Sequence, residues 1–419
     1  MTLKNTLLTR RTQMRLPAYI ENCISILENA GFSAFAVGGA VRDSLLGITP
    51  SDWDVTTSAL PEEILTAFSE FRTIPTGIKH GTVTVLFEDN SNAIPVEITT
   101  FRIDGEYKDS RHPENVTFSK NIRDDLSRRD FTVNAMAYSE KTGLVDAFGS
   151  RDDLDSGIIR AVGDPELRFG EDALRILRAF RFAAQLDFTI EQNTLKAASD
   201  KSHLLSKIAR ERIGTEMKKL LAARGASESL RAMIENGVWS AIFPAVPTES
   251  TVNRLTELPV GSFELRLAAL LSEMNEEDIV GTLDSLRLSN AEKRKVLRLI
   301  RASTFTLSES EAELSILARR FLHLYSNILD EALQICGFFN GEAIFIAFKS
   351  AIHNEQKQAI CLSVSDLAIG GSDLLPLCED RHELVGKTLT KLLALAVDEP
   401  MLNNRETLLS LAKSIISQL

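Results

Sequence analysis

The sequence predicts an α/β head of roughly 150 residues followed by an all-α remainder. Three observations carry this. Short apolar and β-branched runs, bounded by Gly, Pro, Asn and Asp, are confined to the first third of the chain. From about residue 156 the apolar positions recur at helical spacing, and no alternation of strands and helices returns. Gly and Pro signals such as Gly237, Pro244, Pro259, Gly261 and Gly337 then separate one helix from the next, without a low-complexity linker or an internal repeat.

Within the head, Ile20, Ile24 and Leu27 lie on one face of an amphipathic helix over 17–30. Ala34 to Val37 reads as a short buried strand. It ends in Gly38-Gly39, where only glycine lets backbone and a phosphate approach closely. Val41, Leu45 and Leu46 give a helical face, Gly47 closes that helix and Pro50 lies beyond it. A second strand opens with Asp52-Trp53-Asp54, which places both carboxylates on one face about 6–7 Å apart. Pro61 suits the first turn of a helix running to about Phe68. Two strands follow, Thr82 to Phe87 and Ile94 to Phe101, joined by the polar turn EDNSN. Residues 103–122 are polar, charged and without a period, which reads as a long loop of the kind that often serves as a lid. The strand-like run RRDFTVNAMAY, 128–138, closes the head.

Composition excludes several classes. The chain of 419 residues, 44% hydrophobic and 25% charged, has room for two to four soluble domains. No run of about 18 apolar residues is present, so no membrane span is expected. MTLKNTLLTRRTQMRL lacks the apolar core of a secretory signal, and a cytoplasmic location is expected. Cys23, Cys336, Cys361 and Cys378 are scattered, without C-x-x-C spacing, and read as reduced core residues. No His-Asp doublet marks a metal phosphohydrolase. The net charge of −11 argues against uniform wrapping of nucleic acid but leaves room for local basic surfaces.

Two constellations carry chemistry. The Gly-Gly turn, Arg42 on the helix after it and Asp52-x-Asp54 on the next strand fit a nucleotide–metal site. Two carboxylates at that spacing can bracket a pair of divalent ions about 3.5–4 Å apart. A lone Asp-x-Asp is usually a solvated turn; the combination raises it above that. Glu97 fits either a third metal carboxylate or an exposed strand residue, and Arg128 and Arg129 either a phosphate contact or a solvated pair. The second constellation is the helix GEDALRILRAFRFAAQLDF. Asp172 and Arg175 are helix neighbours, and Arg178 and Arg181 continue the spacing of three. An exposed ion-paired helix is the plain reading. The sharper one uses the acceptor and donor together. Adenine and cytosine both show an amino donor beside a ring-nitrogen acceptor, whereas guanine and uracil show a ring N–H and a carbonyl. One Asp–Arg pair would then accept A and C and reject G and U, with the further arginines holding a triphosphate. Two basic runs, SKIARERIGTEMKKLLAARG and EKRKVLRLIR, fit solvated helix faces or an RNA backbone track.

The order GGAVRD, DWD, RRDFTVNAMA, EDALRILRAFRF, ERIGTEMKKLL resembles the class II tRNA nucleotidyltransferases, the CCA-adding enzymes and related bacterial poly(A) polymerases. The five motifs stand in order through about residue 222, and LVGKTLTKLLALAVDEPMLNNRETLLSLAKSI resembles the family's tail more weakly. The resemblance implies an α+β head of the DNA-polymerase-β-like nucleotidyltransferase type, followed by all-α neck, body and tail. The divisions expected are 1–155 for the head, 156–225 for a neck with the nucleotide-selecting helix, 226–300 for the body and 301–419 for a tRNA-binding tail. It implies that Asp52 and Asp54 are the catalytic, Mg²⁺-binding carboxylates. Gly39, Arg42, Arg129, Asp172, Arg175, Arg178 and Arg181 would bind nucleotide, with Asp172 and Arg175 as a protein template for the base. The segment beginning at Glu211 would steady that helix, and Glu97 receives no role.

The implied activity is template-independent addition of C, C and A to the tRNA 3′ end from CTP and ATP, by two-metal transfer that releases pyrophosphate. Partners are therefore tRNA, ATP and CTP, with no membrane, and the reading admits a homodimer. PTGIKHGTVTV stands where poly(A) polymerases of the group carry a GRRF-like segment, which favours CCA addition. A full-length 103–122 loop keeps A addition open against a CC-only enzyme. Poly(A) polymerase, CC-only and A-only enzymes remain alternatives. A non-catalytic RNA-binding protein is the alternative of another class, and intact Asp52, Asp54, Asp172 and Arg175 speak against it.

Overall fold

Ala34–Val37 is apolar at every position and becomes β1, buried on both sides at the centre of the head. The computed structural model describes residues 14–89, 92–105, 116–358, 360–378 and 381–418. Around β1 the chain forms α1 (Ala18–Asn29), α2 (Gly39–Leu45), β2 (Asp54–Thr57), α3 (Pro61–Ala67), β3 (Arg72–Gly77), β4 (Thr82–Asp89) and β5 (Asn92–Thr100). A small pair, β6 (Arg102–Asp104) and β7 (Val116–Phe118), leads to α4 (Ile122–Ser127), β8 (Met136–Ser139), β9 (Gly143–Asp146) and α5 (Ser150–Ser156). The seven-stranded sheet has the order β3-β4-β5-β2-β1-β8-β9. Its neighbours are antiparallel except β2 and β5, which run parallel with Asp54 opposite Glu97. Phe35, Val37, Phe101, Leu126, Ala135, Ala137 and Val162 form one core cluster under the sheet.

The helical part begins with β10 (Ile158–Ile159), α6 (Pro165–Glu171), α7 (Leu174–Leu186), β11 (Thr189–Ile190), α8 (Gln192–Asp200), α9 (Arg210–Leu221) and α10 (Ala226–Glu235). Asp164 starts α6 by accepting from the Glu166 N–H, with Pro165 at the first position, where a missing donor costs nothing. Helix α7 buries Ile176, Leu177, Ala179 and Phe180 against α9 and α10.

By contact the chain forms two units, one of residues up to Val246 with Val280–Arg287, the other of Pro247–Ile279 with Leu288–Leu419. The second is helical. Its helix Asn290–Ser303 opens with a reciprocal cap: Ser289 Oγ accepts from the Glu292 N–H, and Glu292 accepts from the Ser289 N–H. Arg319 holds the end of helix Glu383–Asp398 by donating to the Val397 and Asp398 carbonyls. All four cysteines are buried and free, as expected. No helix among the described residues is long and apolar enough to cross a membrane.

Three features depart from the expectations. Residues 72–77, to which no element is assigned from sequence, form β3, an edge strand that tolerates Pro75 and has a register shift between Ile74 and Gly77. The remainder is not purely helical, since β10 and β11 pair in parallel. The stretch from Gly170 to Phe188 is not one helix: α6 ends at Glu171 and Asp172 is extended (φ −139°, ψ 103°) before α7. Of the expected loop 103–122, β6, β7 and the start of α4 are described, while residues 106–115 and the tip of the EDNSN turn lie outside the described residues.

Candidate active site

The turn after β1 is set by Gly38, whose backbone (φ 75°, ψ −134°) only glycine adopts without strain. A Cβ there would also sit 2.9 Å from Arg129 Nη1. Gly39 begins α2, one turn ahead of Arg42. The Arg42 guanidinium is buried, pairs with Asp43 at 2.7 Å and donates to Asn134 Oδ1 at 2.6 Å. Asn134 in turn donates to Asp130 Oδ1 at 3.1 Å, and Asp130 Oδ2 accepts from Arg178 Nε at 2.8 Å. One chain of hydrogen bonds thus ties the Gly-Gly turn to the RRDFT segment and α7. Burial alone would raise the Asp130 pKa, but the Arg178 charge and the Asn134 and Arg178 hydrogen bonds outweigh it and hold the carboxyl down at about 2. Phe182, between these groups, lies under three guanidinium carbons, those of Arg42, Arg178 and Arg181, at 5.1, 5.2 and 3.8 Å. Gly38→Ala is expected to strain the turn and displace Arg129, lowering transfer by about tenfold or more with the fold retained; steady-state kinetics beside circular dichroism check it.

Arg128 and Arg129 share one buried acceptor. Asp125 Oδ1 accepts from Arg128 Nη2 at 2.7 Å, and Oδ2 from Arg129 Nη2 at 3.3 Å. Arg129 Nε is buried without a hydrogen-bond partner among the described residues, which leaves a donor for an anionic ligand. Burial would raise the Asp125 pKa, but the two arginines lower it below the usual carboxylate range. A depressed carboxyl stabilises the fold above its unfolded pKa of about 4 and loses that as pH falls through the lowered value. Asp125→Ala is therefore expected to cost about 3 kcal/mol near neutral pH, and less towards acid, in urea titrations at several pH values.

Asp52 and Asp54 are both exposed, but only Asp54 lies in β2; Asp52 precedes the strand and accepts from Ser51 Oγ. Although Asp54 reaches the surface, crowding around its carboxyl desolvates it. Burial first, then the charges of Glu97 and Asp52, push it up to about 6 against the opposing pull of Arg129. A carboxyl such as Asp54, held from ionising by burial and by neighbouring negative charge, is one that a hard divalent cation would relieve. Oxygen-only donors suit Mg²⁺, Mn²⁺ or Ca²⁺ rather than zinc. No group of three or more His, Cys, Asp or Glu among the described residues forms a ready cage.

The Asp172–Arg175 pair is arranged differently from the helix-neighbour expectation. Asp172 stands ahead of α7 and caps it, Oδ1 accepting from the Leu174 N–H at 3.0 Å. Its Oδ2 accepts from Arg212 Nη2 at 2.9 Å, on α9. Arg175 Nη1 donates to Glu171 Oε2 (2.7 Å) and the Arg168 carbonyl (3.3 Å), and Nη2 to the Arg128 carbonyl (3.0 Å). These bonds use three of its five N–H donors and fix the guanidinium in place. Arg181 is buried, its Nε donating to Glu216 on α9 at 2.5 Å and its Nη1 to Gln185 at 2.6 Å, so two of its five donors are already committed within the fold. Arg212 and Glu216, which hold the far side of α7, were not singled out as site residues. Their spacing of four within ERIGTE is the signal that places both on one face of α9.

The sequence matches three family models: "Poly A polymerase head domain" over residues 34–160, "Probable RNA and SrmB- binding site of polymerase A" over 187–248 and "tRNA nucleotidyltransferase domain 2 putative" over 260–412. It is 37% identical over 401 residues to a CCA-adding enzyme of Enterococcus faecalis, covering 91% of this chain and 92% of that one. The chain belongs to the CCA-adding enzyme family. A CCA-adding enzyme of Ligilactobacillus salivarius is 33% identical over 96% of this chain and 98% of its own length. Among solved structures, the Bacillus stearothermophilus CCA-adding enzyme in complex with CTP superposes with a TM-score of 0.75 at 28% identity, covering 95% and 97% of the two chains. The resemblance read from the motifs therefore holds, as does the nucleotidyltransferase head followed by a largely helical remainder. Like other CCA-adding enzymes this chain is a nucleotidyltransferase, a class that generally works with divalent metal ions.

Proposed function

We propose that this chain adds C, C and A to the 3′ end of tRNA in the cytoplasm, taking CTP and ATP without a nucleic-acid template and releasing pyrophosphate. The observation that carries the reading is the strand register that sets Asp54 between Glu97 on β5 and Val37, the residue before the Gly-Gly turn, with Arg129 packed against Gly38 of that turn. Its relatives' names and the CTP held by the B. stearothermophilus enzyme support the same reading.

Asp52 and Asp54 are the groups that would hold Mg²⁺, which when bound would activate the 3′-hydroxyl and offset charge on the leaving pyrophosphate. Backbone at Gly38-Gly39 admits the triphosphate closely, and the unpartnered Arg129 Nε supplies a charge-assisted donor. Arg42 and Arg178 hold the Asn134–Asp130 link and so keep this frame rigid before the substrate arrives. Asp172 accepts from the exocyclic amine of cytosine or adenine, and Arg175 donates to the adjacent ring nitrogen; guanine and uracil present the opposite pattern. We divide the chain into head 1–155, neck 156–225, body 226–300 and a tRNA-binding tail 301–419. The tail reads tRNA by shape and backbone, so tRNA affinity is expected to fall about tenfold or more between 50 and 200 mM salt. Filter binding over a salt series checks this.

The function is tested by labelled incorporation from each of the four nucleotides onto a tRNA lacking CCA and onto a generic RNA of equal length. The reading expects CTP on the shortened tRNA, ATP after two C residues, and nothing on the generic RNA. Long adenosine tracts on both would make it a poly(A) polymerase, and tight tRNA binding without incorporation a binding protein.

A further inference from the structure

We propose that the turn at Leu286–Arg287 sets the position of α9 and, through it, the base-selecting start of α7, so that Gly214 is a positioning residue for nucleotide choice. The inference rests on the proposed function, because it concerns which base the site accepts.

Helix α9 reaches α7 with two side chains. Arg212 donates to Asp172 at 2.9 Å, and Glu216 accepts from Arg181 at 2.5 Å. Residue 214 lies midway between them in sequence, and at about 100° per residue it points to the opposite side of the helix. There a Cβ would stand 2.2 Å from the Leu286 carbonyl oxygen and 3.1 Å from its carbon. Glycine in a helix interior costs about 1 kcal/mol relative to alanine, and here it permits backbone-to-backbone contact that any side chain would forbid. Helix α9 is therefore held between α7 on one side and the Leu286 peptide on the other.

The turn is itself well fixed. Leu283 and Leu286 are buried, the Leu286 N–H donates to the Thr282 carbonyl and that of Arg287 to the Asp284 carbonyl. Arg287 takes a left-handed backbone (φ 49°), and its guanidinium lies 3.8 Å from Glu211 on the first turn of α9. At the other end of the segment, a Cβ on Gly281 would touch the Pro244 ring at 3.4 Å. Residues 280–287 belong to the first unit, while the chain on both sides of them belongs to the second. A displaced turn would carry α9 with it, and Arg212 would leave the Asp172 oxygen that it orients.

The test measures kcat/KM for CTP, ATP, UTP and GTP on tRNA lacking CCA or ending in CC, for the full chain and five variants: Gly214→Ala, Arg287→Val, Arg287→Gly, Arg212→Ala and the Gly214→Ala/Arg212→Ala double variant. Gly214→Ala is expected to cut the preference for CTP and ATP over UTP and GTP by about tenfold. Arg287→Val, which resists the left-handed conformation, is expected to cut it by about threefold, and Arg287→Gly, which adopts it freely, to leave it within about twofold of the parent. A double variant with Arg212→Ala should lose no more selectivity than Arg212→Ala alone, since the effect passes through that side chain. Equal losses for all four nucleotides, or unchanged selectivity in folded Gly214→Ala, would overturn the inference. Where Gly214→Ala does not fold, the Arg287→Val and Arg287→Gly pair decides by the same criterion. A parent enzyme that incorporates nothing would instead overturn the function itself.

Discussion

Asp54→Asn is expected to reduce nucleotide transfer by about 10³-fold or more while leaving the fold intact. The residue sits at the first position of β2, opposite Glu97 in register. Its carboxyl is held up at about 6 by burial, Glu97 and Asp52. A carboxyl whose folded pKa lies above its unfolded value disfavours the native state wherever it is ionised, so its charge is retained at a cost to stability. Asn keeps the shape and removes the charge. Without added metal the variant should therefore melt no lower than the parent, by calorimetry near pH 7, even as turnover disappears. Asp52→Asn should share the loss of turnover. Activity within tenfold of the parent would remove Asp54 from the chemistry, and a large drop in melting temperature would make it a structural residue.

The second large effect is on base choice. Asp172→Ala and Arg175→Ala are each expected to erode discrimination against UTP and GTP by about 10- to 100-fold, the worth of a good base-edge contact. The two should differ in side effects. Asp172 also caps α7 and anchors Arg212, so its removal should lower stability by about 1 kcal/mol through the cap. Arg175 is bonded to the Arg128 carbonyl, so its loss should also disturb the RRDFT segment and raise KM for every nucleotide. Competition with all four nucleotides in one reaction measures this. Full rejection of UTP and GTP by both variants would contradict base selection by this pair.

Much of this architecture was legible in the residues, and the misses have identifiable causes. The Gly-Gly turn, α3 starting at Pro61 and the central strands are local in origin, since turn chemistry and two-residue alternation fix them without distant partners. Strand β3 was not assigned from sequence; it tolerates Pro75 because it lies at the edge of the sheet. The break between α6 and α7 was hidden because the charged and apolar spacing runs through it unbroken, although Asp172 is a helix-capping residue type; the bond from Arg212, forty residues on, accompanies the extended Asp172. For the same reason spacing alone suggested that Asp172 and Arg175 faced each other, whereas each is claimed by a different neighbour. Which guanidinium meets which carboxylate depends on tertiary packing, and Arg181 shows it: an arginine in line with its fellows along α7, yet buried against Glu216.

If the proposed function holds, this one chain builds a C-C-A end by reading the base with protein. The most direct test is to sequence the 3′ ends formed on tRNA lacking CCA, with Mg²⁺ and with CTP alone, ATP alone or both. The expected products are CC ends with CTP alone, no extension with ATP alone, and uniform CCA ends with both. Products that stop at CC with both nucleotides, or run on into adenosine tracts, would contradict the proposed function.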